Sequence, residues 1–406
     1  MGEQFVDEAL QLALSKIGKV ETHPGILRIY RYDFLVIPKQ LSRFVKTPLC
    51  IVQPRSDEEV LKILEISERY EIPVIPRGSG TSGYGGCVPL VNCIILDMKN
   101  FNKFSFQDGT AVVEAGAVWM DVERSANRLG KALRVYPTSA TVSTVGGWIA
   151  QGGYGIGSLK YGSVGENVEW LEVADFEGIK QIKGDKLKYY IGAFGTTGII
   201  LRACIKLRNS ESIRSLAFEC TFDETIERIK GAYHANFKDG YHMKFEKLGE
   251  RDTLLVSYEG EGESSELGKN LWSRRFSPLK ALATDKIYSE VVLPIDQAAR
   301  FYNEVKELAC GIEVIFARDR AIFLGLFGRG FRSYLQALKF VKIAEKCGGN
   351  VYSTGLLFPY KNKLKRELEE YKRNIDPKNL LNPKKAMQEN VFSRVMKTGE
   401  KLLWIV

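Results

Sequence analysis

Five glycines between residues 76 and 86 constrain this chain more than any other feature of its sequence. Residues 78–83 match the pattern Gly-x-Gly-x-x-Gly, which in dinucleotide-binding folds is followed at once by a helix. Two further glycines and Pro89 prevent such a helix here, so we exclude binding of the NAD type. Glycines with hydroxyl side chains between them instead let main-chain N–H groups converge on an anion, which predicts a phosphate-binding loop.

Two more segments of the same kind follow, at residues 137–157 and 192–200. Both are rich in glycine and in serine or threonine. Three such loops in one domain predict a large ligand that lies along the main chain. A diphosphate with a flat ring system fits, because N–H and hydroxyl groups suit the phosphates and bare glycines suit the face of the ring. We therefore expect the three loops to form a single cleft.

Strands and helices alternate around these loops. Residues 48–76 predict a strand, a helix and a returning strand, with Ser56 and Glu59 as a capping box at the start of the helix. The two strands should be parallel, because a helix connects them. From about residue 212 to 347 the alternation is typical of a split βαβ unit, which predicts a ferredoxin-like arrangement.

The composition is that of an ordinary globular protein. Of the 406 residues 45% are hydrophobic and 26% are charged, which excludes a disordered chain. No run approaches the ~18–20 apolar residues of a membrane span, and residues 1–4 lack the basic start of a signal peptide, so we expect a cytoplasmic protein. The net charge of +9 favours anionic partners. The basic residues are dispersed without an aromatic–basic motif, however, so we expect no nucleic acid to bind.

Cysteine and histidine usage argues against metal and disulfide chemistry. The seven cysteines are unevenly spaced and form no C-x-x-C motif, so we interpret them as reduced, buried thiols rather than a disulfide framework, a zinc site or an iron–sulfur site. Only three histidines occur, His23, His234 and His242, and we expect no metal site. We interpret the last two as solvated residues that flank a helix–strand turn.

Four motifs together resemble a known family. They are Pro76-Arg77-Gly78-Ser79-Gly80-Thr81-Ser82, Thr144-Val145-Gly146-Gly147, Lys160-Tyr161-Gly162 and Gly195-Thr196-Thr197-Gly198-Ile199-Ile200. In this order they are similar to the FAD-binding domain of the vanillyl-alcohol oxidase and p-cresol methylhydroxylase superfamily. Residues 376–383 are similar to the closing motif of its D-lactate dehydrogenase and glycolate oxidase branch. The Gly-Gly-Trp variant at residues 146–148 also occurs in the alkylglycerone-phosphate synthase branch.

The resemblance implies an α+β fold: a two-subdomain FAD-binding domain of the vanillyl-alcohol oxidase type and a ferredoxin-like α+β cap domain. We expect an N-terminal helical segment at 1–43, the FAD-binding domain at 44–210, the cap at 211–347, and a C-terminal segment at 348–406 that returns to the FAD domain. FAD should be bound non-covalently, because the first loop holds no histidine or cysteine. The residues expected to contact FAD are Pro76, Arg77, Gly78, Ser79, Gly80, Thr81, Ser82, Pro137, Thr138, Ser139, Thr141, Thr144, Gly146, Gly147, Ala150, Gly155, Tyr161, Gly162, Gly198, Ile199 and Ile200.

The residues that would bind and activate the substrate depart from the family pattern. The 2-hydroxy-acid branch carries an acid–histidine–glycine motif after a glycine pair, whereas residues 348–355 hold no histidine. The metal-binding histidines of the branch's cap are also missing. An arginine would have to grip a substrate carboxylate, and another side chain would have to accept the hydroxyl proton. The candidates are Arg318, Arg320 and Arg329 for the carboxylate and Tyr352, Tyr154 and Lys244 for the proton, with Arg318 and Tyr352 preferred.

Three functions follow from this resemblance. The first is oxidation of an alcohol carbon of a small molecule, a 2-hydroxy acid of the D-lactate or glycolate type, by hydride transfer to FAD. The second is an FAD-carrying electron-transfer subunit that exchanges electrons with an iron–sulfur protein or another acceptor, since the family histidines are missing and the chain has no cysteine cluster of its own. The third is a redox-neutral enzyme similar to the alkylglycerone-phosphate synthases.

Overall fold

A computed structural model of the chain describes residues 14–15, 17, 19–235, 240–248, 251–276, 286–358 and 363–406. Residues 1–13, 16 and 18 of the predicted N-terminal segment lie outside the described residues, as does the side chain of His234. The described strands form three sheets. The first two lie in the region predicted to bind FAD, except for the strand Lys19–Glu21, and the third lies in the predicted cap, except for the strand Asn350–Val351.

The first sheet has four strands and two accompanying helices. They are β1 (Lys19–Glu21), β2 (Cys50–Gln53), β3 (Val74–Arg77) and β4 (Ile94–Asp97), with α1 (Pro24–Ile29) and α2 (Asp57–Tyr70). Their order is β1-β2-β4-β3, and β2 and β3 both run parallel to β4, which confirms the predicted parallel crossover. At the start of α2 the Ser56 hydroxyl accepts from the Glu59 amide, as predicted, but the Glu59 carboxylate accepts from the Arg55 amide.

The second sheet is antiparallel and carries the second and third loops. It contains β5 (Phe104–Gln107), β6 (Thr110–Glu114), β7 (Lys131–Leu133), β8 (Val168–Asp175), β9 (Gly178–Lys183) and β10 (Ile199–Asn209), with helices α3 (Trp119–Arg128), α4 (Val145–Gln151) and α5 (Ser158–Tyr161). Five strands follow the order β5-β6-β10-β8-β9, and β7 also pairs with β10. Helix α4 lies so close to β6 that a Cβ on Gly146 would come within 2.5 Å of Ala115, which explains the small residue there.

The third sheet is antiparallel and has seven strands, which confirms an α+β cap. It contains β11 (Ile213–Glu219), β12 (Gly240–Leu248), β13 (Arg251–Glu259), β14 (Ile287–Pro294), β15 (Gly311–Ala317), β16 (Arg320–Phe327) and β17 (Asn350–Val351), with helices α6 (Phe222–Ala235), α7 (Glu266–Ser273), α8 (Ala298–Val305) and α9 (Phe331–Lys346). The order is β11-β13-β12-β15-β16-β14-β17. One face packs against α6, α8 and α9 through a core that includes Phe245, Phe323 and Phe340. The opposite face is turned toward the glycine-rich loops.

The C-terminal tail returns to the first sheet. It contains helices α10 (Lys363–Ile375) and α11 (Val391–Glu400). The Val74 amide of β3 donates to the Leu380 carbonyl at 2.8 Å, and the Asn382 amide donates to the Val74 carbonyl at 2.9 Å. The buried Asn382 side chain donates to the carbonyls of Gly86 at 2.8 Å and Phe194 at 2.6 Å. One tail residue therefore ties the first glycine-rich loop to the third.

Smaller features complete the description. Short 3₁₀ helices lie at Ser42–Phe44, Met98–Asn100, Gly165–Asn167, Gly184–Tyr189, Ile295–Gln297 and Leu403–Ile405. All seven cysteines are free thiols, and all except Cys310 are buried. Within the described residues, no helix is long and apolar enough to cross a membrane.

Candidate functional site

The three glycine-rich loops line one cleft, and the cap sheet forms its other wall. The first loop follows β3, the second leads into α4, and the third precedes β10. The structure therefore confirms the expectation that the three loops form a single cleft. The predicted FAD contacts that line the cleft are Pro76, Arg77, Gly78, Ser79, Gly80, Thr81, Ser82, Pro137, Thr138, Ser139, Thr144, Gly146, Gly147, Ala150, Gly198 and Ile200.

Five predicted contact residues lie outside the cleft lining. The Tyr161 hydroxyl donates to the Glu259 carboxylate at 3.2 Å, so this ring is engaged with the cap sheet. Ile199 is buried in the core of the first sheet. The structure therefore does not bring the following residues to the cleft: Thr141, Gly155, Tyr161, Gly162 and Ile199.

The loops fit a diphosphate because they offer donors that the protein itself leaves unused. In the described part of the chain, the main-chain amides of Ser79, Gly80 and Thr81 donate no hydrogen bond. The Thr144 hydroxyl is buried without a partner in the same part of the chain. A Cβ on Gly78 would lie 2.0 Å from that hydroxyl, so the first and second loops touch with no side chain between them. A buried hydroxyl without a partner beside a row of free main-chain amides favours a ligand with acceptor oxygens.

Arg77 supplies the positive charge at this end of the cleft. It is buried, and its guanidinium donates to the Tyr32 carbonyl at 3.0 Å and to the Cys87 sulfur at 3.2 Å. It also lies over the Tyr30 ring, with 4.8 Å between Cζ and the ring centroid. Gly80 permits this packing, because a Cβ there would come within 2.1 Å of the guanidinium. A fixed cation beside free amides favours an anionic ligand group.

The cap contributes two carboxyl groups that sequence reasoning missed. Glu290 on β14 and Glu313 on β15 line the cleft together with Ile315 and Ile322. The available signal was a lone acid inside an apolar strand: Glu313 is buried within β15, where every other residue is apolar. Acids at such positions are costly unless they have a role or a partner.

Burial changes the ionisation of Glu290. It raises the pKa of this carboxyl to about 8, and the nearby charge of Glu313 contributes in the same direction. Lys244 stands beside the pair, with Nζ 3.8 Å from Glu313 and 2.5 Å from Glu246. Burial acts to lower the pKa of Lys244, but the two carboxylates outweigh burial and the pKa is raised. Lys244 therefore stays charged, which disfavours it as a proton acceptor.

We expect Glu290→Gln to stabilise the protein more strongly as the pH rises from 5 to 8. Folded Glu290 stays protonated up to its pKa of about 8, whereas the unfolded chain ionises this group near its ordinary value. Between these two pKa values the folded state binds one more proton than the unfolded state, so the wild type loses stability as the pH rises. The glutamine variant has no proton to lose at this position, so its stability does not fall for this reason. Urea unfolding at both pH values should show the gap widening by roughly 2–4 kcal/mol. A pH-independent gap would contradict the shift.

Tyr352, the preferred proton acceptor, lies in the cleft but is held by the main chain. Its hydroxyl accepts from the Tyr154 amide at 3.0 Å and donates to the Tyr154 carbonyl at 2.9 Å. Burial raises the pKa of Tyr352 well above its ordinary value, with Glu290 contributing. Burial also raises the pKa of Tyr154. The geometry therefore favours a positioning role for Tyr352, between the second loop and the cap.

Two further expectations are corrected by the structure. Arg318 does not reach the cleft: it is half-exposed at the β15–β16 turn and its guanidinium lies 2.6 Å from Glu166. Arg320 and Arg329 are likewise absent from the cleft lining. His242 is not solvated but buried on β12, because its strand position faces inward, and burial lowers its pKa to about 3. It remains a neutral imidazole.

Comparisons with known proteins support a cofactor site in this cleft. Residues 48–181 match a family model described as an FAD binding domain. The chain is 27% identical to the D-lactate dehydrogenase of Archaeoglobus fulgidus over 445 aligned positions, covering 93% of this chain and 98% of that protein. It is 31% identical to the glycolate oxidase subunit GlcD of Bacillus subtilis over 192 residues, or 44% of this chain and 40% of that protein.

A different branch gives further matches. The alkyldihydroxyacetonephosphate synthase of Trypanosoma brucei brucei is 24% identical over 300 residues, covering 70% of this chain and 48% of that protein. The chain thus spans less than half the length of this relative and of the Bacillus subtilis subunit. A solved structure of an alkyldihydroxyacetonephosphate synthase superposes with a TM-score of 0.76 at 17% identity, over 92% of this chain and 85% of that one, which shows a shared fold.

The matched region contains the first two glycine-rich loops. The unused amides, the Thr144 hydroxyl and Arg77 lie inside that matched region. Residues 48–181 are thus an FAD binding domain and the cofactor is FAD, and the chain is similar to FAD-binding oxidoreductases of the vanillyl-alcohol oxidase and p-cresol methylhydroxylase superfamily.

Proposed function

We propose that the protein is an FAD-dependent oxidoreductase that oxidises the carbinol carbon of a small molecule. The observation that carries the proposal is the single cleft with a phosphate-binding side and a cap side, in a chain whose relatives include a D-lactate dehydrogenase and a glycolate oxidase subunit. FAD, when bound, supplies a two-electron acceptor for the hydride that leaves the carbinol carbon. The substrate hydroxyl loses a proton at the same time, which leaves a carbonyl group.

Each side of the cleft has its own task in this proposal. The amides of residues 79–81, the Thr144 hydroxyl and Arg77 would hold the diphosphate of the cofactor. Ile315 and Ile322 exclude water from the cap side. Glu290 and Glu313 are two ionisable groups on that side that would hold or pass the hydroxyl proton.

The relatives' names favour a 2-hydroxy acid of the glycolate or D-lactate type as the substrate, as does the D-2-hydroxyglutarate dehydrogenase of Xanthomonas citri, which is 28% identical over 212 residues. Such a substrate would need a cationic partner for its carboxylate. None of the three arginines predicted for this task lines the cleft. The proposal is therefore the oxidation of a carbinol carbon.

The alternative of an electron-transfer subunit is supported by one fact about a relative: GlcD is named as a subunit. In that case an isolated chain would carry FAD but require an electron-acceptor protein, such as an iron–sulfur protein, for turnover. A redox-neutral reaction of the alkyldihydroxyacetonephosphate synthase type would leave the flavin oxidised at the end of each cycle. Anaerobic reduction by an alcohol distinguishes oxidation from both.

The test starts from purified protein and its visible spectrum. We expect a flavin spectrum, and we expect acid precipitation to leave the flavin in the supernatant. Cys87 lines the cleft, but burial raises the pKa of its thiol to about 11, so it is a poor nucleophile for covalent attachment. Anaerobic addition of a panel of small alcohols and 2-hydroxy acids should bleach the flavin with at least one of them. A flavin that no member of the panel reduces would refute the proposed oxidation.

A further inference from the structure

The Lys-Tyr-Gly motif at residues 160–162 does not line the cleft, and the structure gives it a different position. It lies at the end of α5, the short helix that follows the second glycine-rich loop. Helix α5 packs against strands β12 and β15 of the cap. Leu159 on this helix belongs to the same buried hydrophobic core as Phe245 and Phe323 of the cap. The motif therefore stands where the FAD-binding region meets the cap.

Two residues of the motif bind a buried carboxylate of the cap. The side chain of Glu259, the last residue of β13, is 5% exposed. The Lys160 ammonium forms an ion pair with it, and the Tyr161 hydroxyl donates to both of its carboxylate oxygens at 3.2 Å. A second cation comes from β10, where Arg208 Nε lies 3.0 Å from Glu259 Oε1. Two cations and one hydroxyl of the FAD-binding region thus converge on one carboxylate of the cap.

The third residue of the motif serves another contact with the cap. A Cβ on Gly162 would lie 2.3 Å from the Glu166 carboxylate, so glycine leaves the space that this carboxylate occupies. Glu166 in turn lies 2.6 Å from the guanidinium of Arg318 at the β15–β16 turn. Both of these side chains are half-exposed, whereas Glu259 is buried. Since removing one partner costs far more in a buried ion pair than in an exposed one, we expect Glu259 to make the stronger contact.

The elements that meet at Glu259 also carry the two walls of the cleft. Helix α5 continues the second glycine-rich loop, and β10 carries Ile200, which lines the cleft, near its start. On the other side, β13 neighbours β12, and β12 neighbours β15, whose residues Glu313 and Ile315 line the cleft. Glu259 itself is not part of the lining. The contact therefore joins the two walls at a point outside the cleft.

We propose that Glu259 is a positioning residue that holds the cap over the cofactor cleft, and that the Lys-Tyr-Gly motif of this chain serves this contact. Glu259 acts through the cap, because it fixes the separation of the two walls. Neutralising it would leave Arg208, whose side chain is 8% exposed, without the carboxylate that it pairs with. The cap would then separate more often from the FAD-binding region. The groups that we assign to the diphosphate would keep their places, because they all lie on the opposite wall.

Hydrogen exchange followed by mass spectrometry tests this contact without any substrate. In the FAD-loaded Glu259→Gln variant, the amides of residues 154–166 should exchange about tenfold faster or more than in the wild type, because this segment loses its attachment to the cap. The Tyr154 amide reports the separation directly, since it donates to the Tyr352 hydroxyl beside β17. The amides of strands β2, β3 and β4 should exchange as in the wild type.

Two results of this experiment would overturn the proposal. Unchanged exchange at residues 154–166 would show that Glu259 does not hold the cap. An equal acceleration in the first sheet would show a general loss of stability instead of a separation of the cap.

A second measurement separates positioning from cofactor binding. The FAD affinity of Glu259→Gln should stay within about threefold of the wild type. Flavin reduction by an alcohol that reduces the wild type should slow about tenfold or more, because the cap no longer holds the substrate in place. An equal loss in FAD affinity and in reduction would contradict a role through the cap. This measurement depends on the proposed oxidation, whereas the exchange experiment does not, so the failure of one can be told from the failure of the other.

Two further variants control for charge and for folding. Glu261→Gln removes the same charge from an exposed position two residues later, and it should match the wild type in exchange and in reduction. An equal effect of Glu261→Gln would count against the proposal. Tyr161→Phe removes one donor and leaves both cations, so it should accelerate exchange at residues 154–166 by a smaller factor. If Glu259→Gln does not fold, unchanged exchange in Tyr161→Phe would overturn the proposal.

Discussion

Gly78→Ala is expected to weaken FAD binding by about 10- to 100-fold. The backbone at Gly78 does not need glycine for its conformation, so the cost is steric. The new Cβ would lie 2.0 Å from the Thr144 hydroxyl, and Thr144 is buried with no room to retreat from the first loop. The two loops would have to separate, which disperses the amides that we assign to the diphosphate. Equilibrium titration of apoprotein with FAD, followed by flavin fluorescence, measures the change.

A paired variant and a control make this result specific. In Gly78→Ala with Thr144→Ala the clashing oxygen is gone, so part of the affinity lost in the single variant should return. Gly165→Ala is the control, since its nearest neighbours would be at 3.5 Å, an ordinary contact distance, and it does not line the cleft. Unchanged FAD affinity in Gly78→Ala would show that the first loop does not hold the cofactor.

Lys372→Met is expected to destabilise the protein by about 3–5 kcal/mol. Lys372 is buried on α10, and its ammonium donates to the carbonyls of Thr196 and Leu381, each at 2.8 Å, and to Asp376 at 2.7 Å. Burial lowers its pKa, and the Asp376 carboxylate opposes that effect. Methionine would remove the donor from two carbonyls and the cation from the buried Asp376 carboxylate, which would keep only the amides of Leu380 and Leu381. Urea unfolding followed by circular dichroism gives the difference in free energy.

The same substitution at a more exposed site on α10 provides the comparison. Lys365 forms a pair with Glu369 in which the closest atoms are 3.7 Å apart and both side chains are partly exposed. Lys365→Met should change the stability by no more than about 1 kcal/mol. Equal losses in the two variants would mean that the buried network is not what holds the tail. Because Thr196 lies in the third loop and Leu381 lies in the part of the tail that bridges to β3, the Lys372 variant should also release FAD more readily.

The glycine-rich loops illustrate what local sequence encodes. Their composition predicted that each would expose main-chain donors, and the order of the four motifs indicated a common cofactor. The motifs did not predict which of their residues face the ligand. Ile199 and Ile200 are neighbours in β10, but of the two only Ile200 lines the cleft. Side chains alternate along a strand, so the answer depends on a register that the motif does not state.

The closing motif at residues 376–383 was recognised from its resemblance, without a physical reason. The structure supplies the reason in Asn382, whose side chain bonds carbonyls from loops separated by more than a hundred residues. Asn382 also adopts a positive φ of 37°, a conformation that asparagine tolerates better than most residues. Contacts of this span form only when the whole chain is folded.

The sequence by itself determined the local elements: a capped helix after the first strand, glycine-rich loops with free donors, and an FAD-binding family. Only the tertiary structure decided which charges face the cleft. It places Arg318 at the surface, buries His242, and brings Glu290 and Glu313 to the cap side of the cleft. Loops and helix caps are set by interactions between neighbouring residues. The charge of a cleft is set by the pairing of strands far apart in the chain, and no local pattern specifies it.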